Sequence, residues 1–209
     1  MATAVQVDSR FDQIQLGVIV RSGLILALIQ GACVVVVSFI TRSLSGTVEH
    51  ALTGIVVYIG AMITIFWPGT RVLPRTIDGI AAAAGIGLAA TWFFVPIDAF
   101  ILQPLGMYTN RWHAVGGGSI WWYIPVWWMA GTFITWQGSW ILAHRSNRTG
   151  EPGVPGAIVL VTITTAIVGA IAAAVHFPLA EWNVPTFAVA IMPGLVLANA
   201  ISALGTRRG

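Results

Sequence analysis

The amino-acid sequence predicts an all-α, polytopic membrane bundle of about six transmembrane helices, and three observations predict it. Hydrophobic residues make up 57% of the chain against 8% charged, at a mean hydropathy of +0.85. That leaves too little polar surface to cover a water-soluble domain of 209 residues. The apolar residues run continuously, without the alternation of an outer-membrane barrel, so backbone groups placed in hydrocarbon must be bonded within their own helix. Finally, six runs reach the roughly 20 residues that cross a bilayer core, with turn-forming residues between them. The whole chain, 1–209, reads as one transmembrane domain without a soluble module or an internal repeat.

The first run, Ile14 to Ile40, is too long for a signal-peptide core and has no small-residue cleavage site after it, so it is read as a retained span. It contains the single cysteine, Cys33, which rules out a disulfide within the chain and a thiolate cluster. Arg21 lies two turns inside it, where snorkelling to the interface and a buried partner are both open. The second run, Val48 to Trp67, is followed by the breakers Pro68-Gly69 and Pro74. The third is Ile77 to Ile97, and after a long loop the fourth is Gly118 to Ala143. Gly150, Pro152-Gly153 and Pro155 mark the approach to the fifth, Val154 to His176. Pro178 and Pro185 lie around the start of the sixth, Val184 to Leu204.

The formal charge of +3 comes from ten arginines and no lysine, scattered singly or in pairs, so nucleic acid is not an expected partner. Arg10, Arg71, Arg75, Arg145, Arg148, Arg207 and Arg208 fall on the side of the N-terminus, with Arg42 and Arg111 opposite. The positive-inside rule then places both termini in the cytoplasm, and the chain is assigned to a bacterial or archaeal cytoplasmic membrane.

Counting along each helix at about 1.5 Å per residue collects the ionisable groups at the opposite, outer face. Glu49 and His50 lie just inside the second helix, Asp98 at the end of the third, and His176 at the end of the fifth. Arg111 and His113 fall in the long loop, and Glu181 in the loop before the sixth helix. Asp8, Asp12, Asp78 and Glu151 are elsewhere. Glu49 follows Thr47 at a helix start, where capping and the dipole favour an anion irrespective of catalysis. Glu181, near Asn183 and Pro185, fits an exposed loop acid, and the three histidines fit interfacial side chains. Asp98 differs from these. It stands between Trp92-Phe93-Phe94-Val95-Pro96-Ile97 and Phe100-Ile101-Leu102, surroundings in which desolvation disfavours the ionised form and turns a carboxyl toward proton donation.

Aromatic residues gather at the same level. Trp112, Trp121, Trp122, Trp127 and Trp128 cluster around the outer end of the fourth helix, with Trp92 below and Trp182 in a neighbouring loop. Trp121, Pro125, Trp128 and Thr132 share one helix face by their spacing, and Trp136 and Trp140 continue near it. An interfacial belt and helix packing explain part of this pattern. The functional alternative is a π-rich pocket that holds a polyene or faces a developing carbocation.

The stretch Pro96-Ile97-Asp98-Ala99-Phe100, then Pro104-Leu105-Gly106-Met107-Tyr108-Thr109-Asn110-Arg111-Trp112, then Tyr123-Ile124-Pro125-Val126-Trp127-Trp128, resembles membrane carotenoid-modifying enzymes. These are the lycopene cyclases of the small heterodimeric type and the bacterioruberin-type carotenoid hydratases. In those families an acid at a helix end precedes a Gly-x-aromatic loop element and a Val/Ile/Leu-Pro motif opening the next helix. Where the cyclases carry a pair of glutamates shortly after that proline, this chain has Trp127-Trp128. The resemblance implies an integral membrane isoprenoid-modifying enzyme, a cyclase or hydratase, acting on an apolar isoprenoid or prenylated substrate in the lipid bilayer. Asp98 would protonate a C=C bond, with Glu49, Glu181 or a histidine as the later base. Trp92, Tyr108, Trp112, Tyr123, Trp127 and Trp128 would line the substrate site, with no cofactor and with homo- or hetero-oligomers both open.

Two other classes fit the same residues. His50, His113 and His176 with Asp98 or Glu49 could form an N/O metal site of a membrane oxidoreductase subunit, although no two of these histidines share a helical spacing. Small-residue runs such as Gly79 to Gly87 and Gly169 to Ala174 suit close helix contact in a structural or pigment-binding subunit.

Overall fold

The computed structural model describes residues 16–72, 76–108 and 120–204, the side chains of 120–125 and 184 excepted. Among them are six helices and no strand: α1 (Leu16–Ser43), α2 (Gly46–Arg71), α3 (Ile77–Ile97), α4 (Ile120–Thr149), α5 (Val154–Ala174) and α6 (Val184–Leu204). α1, α2, α5, α6 and α3 with the turn that extends it to Leu102 are long and apolar enough to cross a membrane. The chain is thus an integral membrane protein built as an all-α bundle. α3 and α6 have the bounds that the apolar runs predict. α2 at both ends, and α1 and α4 at their C-terminal ends, run past the apolar runs, because terminal turns extend into polar sequence that hydropathy does not register.

One breaker is overruled. α2 continues through Pro68 and Gly69 to Arg71, at the loss of one ladder hydrogen bond, that to the Thr64 carbonyl. α5, by contrast, ends before His176. The amide of His176 donates to Ala173 (3.3 Å) and that of Phe177 to Ala172 (2.9 Å), with His176 at φ 51°, which is the paired-bond closure that usually recruits glycine. Arg21 is exposed on α1, as snorkelling requires.

α4 occupies the centre, packed against α3, α2, α6 and α5, and this position explains its composition. Facing protein more than lipid, it tolerates buried Thr135, Gln137 and Ser139 because each has a partner. Thr135 Oγ1 donates to the Gly131 carbonyl (2.9 Å) and Ser139 Oγ to that of Thr135 (2.9 Å). Between helices, Asn199 Nδ2 of α6 donates to Gln137 Oε1 (2.7 Å). A double-mutant cycle of Gln137→Leu and Asn199→Leu, read by reversible unfolding in mixed micelles, is expected to give a coupling of about 0.6–2 kcal/mol.

Backbones approach most closely where α4 meets α2 and α3. A Cβ on Gly138 would lie 2.1 Å from the Ile65 carbonyl oxygen, and one on Gly87 would lie 2.2 Å from Thr135 Oγ1. Glycine permits both crossings. The largest core cluster joins Ile65 and Phe66 of α2, Ile141 and Leu142 of α4, Val161 of α5 and Leu195 of α6. A smaller one joins Ala27 of α1 to Phe94 and Leu102, next to the acid that the π turn buries.

Candidate functional site

Pro96 lacks the N–H that would bond the carbonyl one turn back, and just beyond it the helix widens. Residues Asp98–Leu102 form a π turn, closed by the Gln103 amide on the Asp98 carbonyl (2.9 Å). Such turns insert one residue into the helical cycle and recur at functional sites. Here the wider turn buries Asp98, at 2% exposure, and leaves Phe100 and Ile101 outside. The chain then reverses at Gly106, whose φ of 65° lies in the region glycine enters most readily. The Arg42 guanidinium, at the end of α1, donates to the Gly106 carbonyl. The reversal brings Tyr108 back onto Asp98.

Both carboxylate oxygens of Asp98 are occupied. Gln103 Nε2 donates to Oδ2 at 2.7 Å, and the Tyr108 hydroxyl donates to Oδ1. Each donor is neutral, so the acid is positioned by hydrogen bonds without a salt bridge to either. Phe94 and Leu102 are buried against Ala27, with Met107 and Tyr108 packed on them. Phe94 in turn meets Trp127, ring centroids 6.4 Å apart and tilted by 46°. On the same pair of helices Trp92 stacks on Trp128 at 4.8 Å and 11°. The Trp128 indole N–H is buried with no partner among the described residues.

The acid and aromatic residues predicted from the sequence therefore separate into groups. Asp98 and Tyr108 are in direct contact, and Trp127 joins them through Phe94. Trp92 and Trp128 form a stacked pair beside them. Glu49 is buried, at 5% exposure, in the first turn of α2. Glu181 organises the start of α6. Asn183 Nδ2 donates to its Oε2 (3.2 Å), its amide donates to Thr186 Oγ1 (2.9 Å), and Asn183 Oδ1 caps the Thr186 amide (3.0 Å). His176 closes α5 through the paired bonds at its end. Trp112 and His113 lie outside the described residues, as does the side chain of Tyr123. Among the described residues no three His, Cys, Asp or Glu side chains are grouped as a metal site.

A groove of about 710 Å³ lies on the other side of the bundle, between α2, α5 and α6. His50, Trp182 and Asn183 line it at one end, and Tyr58, Thr162 and Met62 farther along. His50 Nδ1 is 2.6 Å from the Gly46 carbonyl oxygen, and the Tyr58 hydroxyl is 2.5 Å from Thr162 Oγ1.

Sequence reasoning missed Gln103, Phe94 and Arg42 as parts of the Asp98 site, and Tyr58 as part of the groove. Gln103 left a trace as the one polar side chain between Phe100 and Leu105. Phe94 and Tyr58 look like any other apolar-span aromatic, and Arg42 like an ordinary interfacial charge. No protein-family model, no curated protein and no solved structure matches the chain.

Proposed function

We propose that this protein is an enzyme of a bacterial or archaeal cytoplasmic membrane, its termini on the cytoplasmic side, that protonates a carbon–carbon double bond of an apolar isoprenoid. One observation carries the reading: a carboxyl group, buried in the membrane-spanning part of the chain, held at both oxygens by neutral donors and bordered by aromatic rings.

An alkene is a very weak base, so a carboxylic acid protonates it only if the carboxylate left behind and the carbocation formed are both stabilised. Gln103 and Tyr108 supply two hydrogen bonds to the carboxylate, arranged before the proton leaves. The faces of Trp127 and Phe94 offer the cation negative quadrupole without offering it a nucleophile. Exclusion of bulk water strengthens both effects. The cation then resolves by ring closure and proton loss, or by capture of water. Glu49, buried at the same end of the bundle, is the candidate base for the proton released.

The resemblance of residues 96–128 to carotenoid cyclases and hydratases points to the same chemistry and supports the choice of substrate class. Mass spectrometry of lipid extracts from a carotenoid- and prenyl-producing host, with and without this chain, tests the proposal. A new isomeric or hydrated isoprenoid is the expected result. An unchanged profile in a host that accumulates the protein would overturn it and favour the non-enzymatic, pigment- or lipid-binding reading, which the groove between α2, α5 and α6 supports.

A further inference from the structure

We infer that the groove between α2, α5 and α6 is a binding site for a long-chain lipid alcohol, separate from the chemistry at Asp98. Its dimensions suit a chain: the α2 wall from His50 to Met62 measures about 18 Å at the helical rise, and the volume of the groove is about 710 Å³. Its polarity suits a molecule with one polar end. His50, Trp182 and Asn183 line one end, whereas Val57, Ala61, Met62 and Ile191 line the rest.

Charge selects the head group. Among the described residues no arginine, aspartate or glutamate lines the groove, so none of them supplies a countercharge to a phosphate head. Hydrogen bonding selects further. The Gly46 carbonyl can only accept, so His50 Nδ1 carries the proton in that contact, and Nε2 of the neutral ring is left as an acceptor. Farther along, Thr162 Oγ1 donates to the Ile158 carbonyl (2.7 Å), so the Tyr58 proton is the one that serves the Tyr58–Thr162 contact. That leaves Tyr58 as an acceptor as well. The Thr165 hydroxyl, without a partner among the described residues, does not alter this balance, because it is buried against Gly194 of α6. At the His50 end, the Trp182 indole and the second amide hydrogen of Asn183 are donors. A hydroxyl head can donate to His50 and accept from an N–H at the same end of the groove. A carbonyl or an ether has no hydrogen to donate to the histidine.

Equilibrium binding to the full chain in lipid nanodiscs tests this with geranylgeraniol, hexadecanol, geranylgeranyl methyl ether and geranylgeranyl phosphate as probes. Saturable binding of one or both alcohols is expected, the pair distinguishing a branched chain from a straight one, with the ether and the phosphate weaker. His50→Leu should weaken the alcohol by about fivefold, the worth of one hydrogen bond. Ala188→Trp, which fills the groove from its lipid-accessible side, should weaken it by about tenfold or more with Tm unchanged. Failure of both alcohols to bind, equal binding of the ether or the phosphate, or an Ala188→Trp variant that is folded and binds normally would each overturn the assignment. Product formation is read separately in the Asp98 variants, so loss of the enzymatic reading leaves this one standing.

Discussion

Asp98→Asn is expected to cut isoprenoid conversion by about a hundredfold or more, the range for loss of a general acid. The amide is the same size as the carboxyl and keeps one acceptor, but it has no acidic proton to give. It also places an NH2 group where Gln103 or Tyr108 donates, so one buried donor loses its partner at a cost of about 1–3 kcal/mol. Activity and thermal unfolding must therefore be measured together. Tyr108→Phe separates the two effects. It leaves the acid in place and removes one hydrogen bond from the carboxylate formed by proton transfer, so its loss of activity should be smaller than that of Asp98→Asn at a similar change in Tm. Product formed at the original rate by Asp98→Asn would exclude Asp98 as the proton donor.

The second large effect concerns the fold. Gly138→Ala is expected to destabilise the bundle by about 3 kcal/mol, because the new methyl would lie 2.1 Å from the Ile65 carbonyl oxygen and 2.8 Å from its carbon. Those are backbone atoms of α2 that cannot swing aside as a side chain could, so relief requires the two helices to move apart at this crossing. Gly54 in α2 provides the control, since a Cβ there meets nothing within 4 Å; Gly54→Ala should leave stability unchanged or slightly raised. Unfolding titrations in detergent micelles compare the two directly. Equal losses would mean that helix crossing distance is not what Gly138 protects.

The spans are legible in the sequence because the membrane imposes them. Runs of the length that crosses hydrocarbon are visible without any knowledge of neighbours, and the bounds of α3 and α6 follow from them. Asp98 is legible for a related reason: an acid between two strongly apolar segments stands out wherever it folds. Its setting is not. The π turn depends on local widening after Pro96, and only that widening, with the reversal at Gly106, brings Gln103 and Tyr108 to the two carboxylate oxygens. Tyr108 reads as a substrate-facing aromatic in sequence, and its hydroxyl bond to Asp98 is a tertiary fact. Nor does sequence reveal that α4 is central, since Gln137 and Ser139 look like flaws in a span until their partners are seen. The groove is the least legible feature of all. Its walls come from three helices, and nothing in the order of Tyr58, Thr162 and Phe187 along the chain announces that they meet.

The exposed apolar side chains around the acid have a consequence for kinetics. Phe100, Ile101 and Leu105 project from the turn and loop beside Asp98, and the groove on the opposite side is walled by helices that themselves border lipid. A hydrophobic molecule would thus arrive sideways, by two-dimensional diffusion in one leaflet, without crossing the aqueous phase. Encounter frequency would follow the substrate's mole fraction in that leaflet. Adding inert phospholipid at constant total substrate and protein should slow conversion by surface dilution, even though no aqueous concentration has changed.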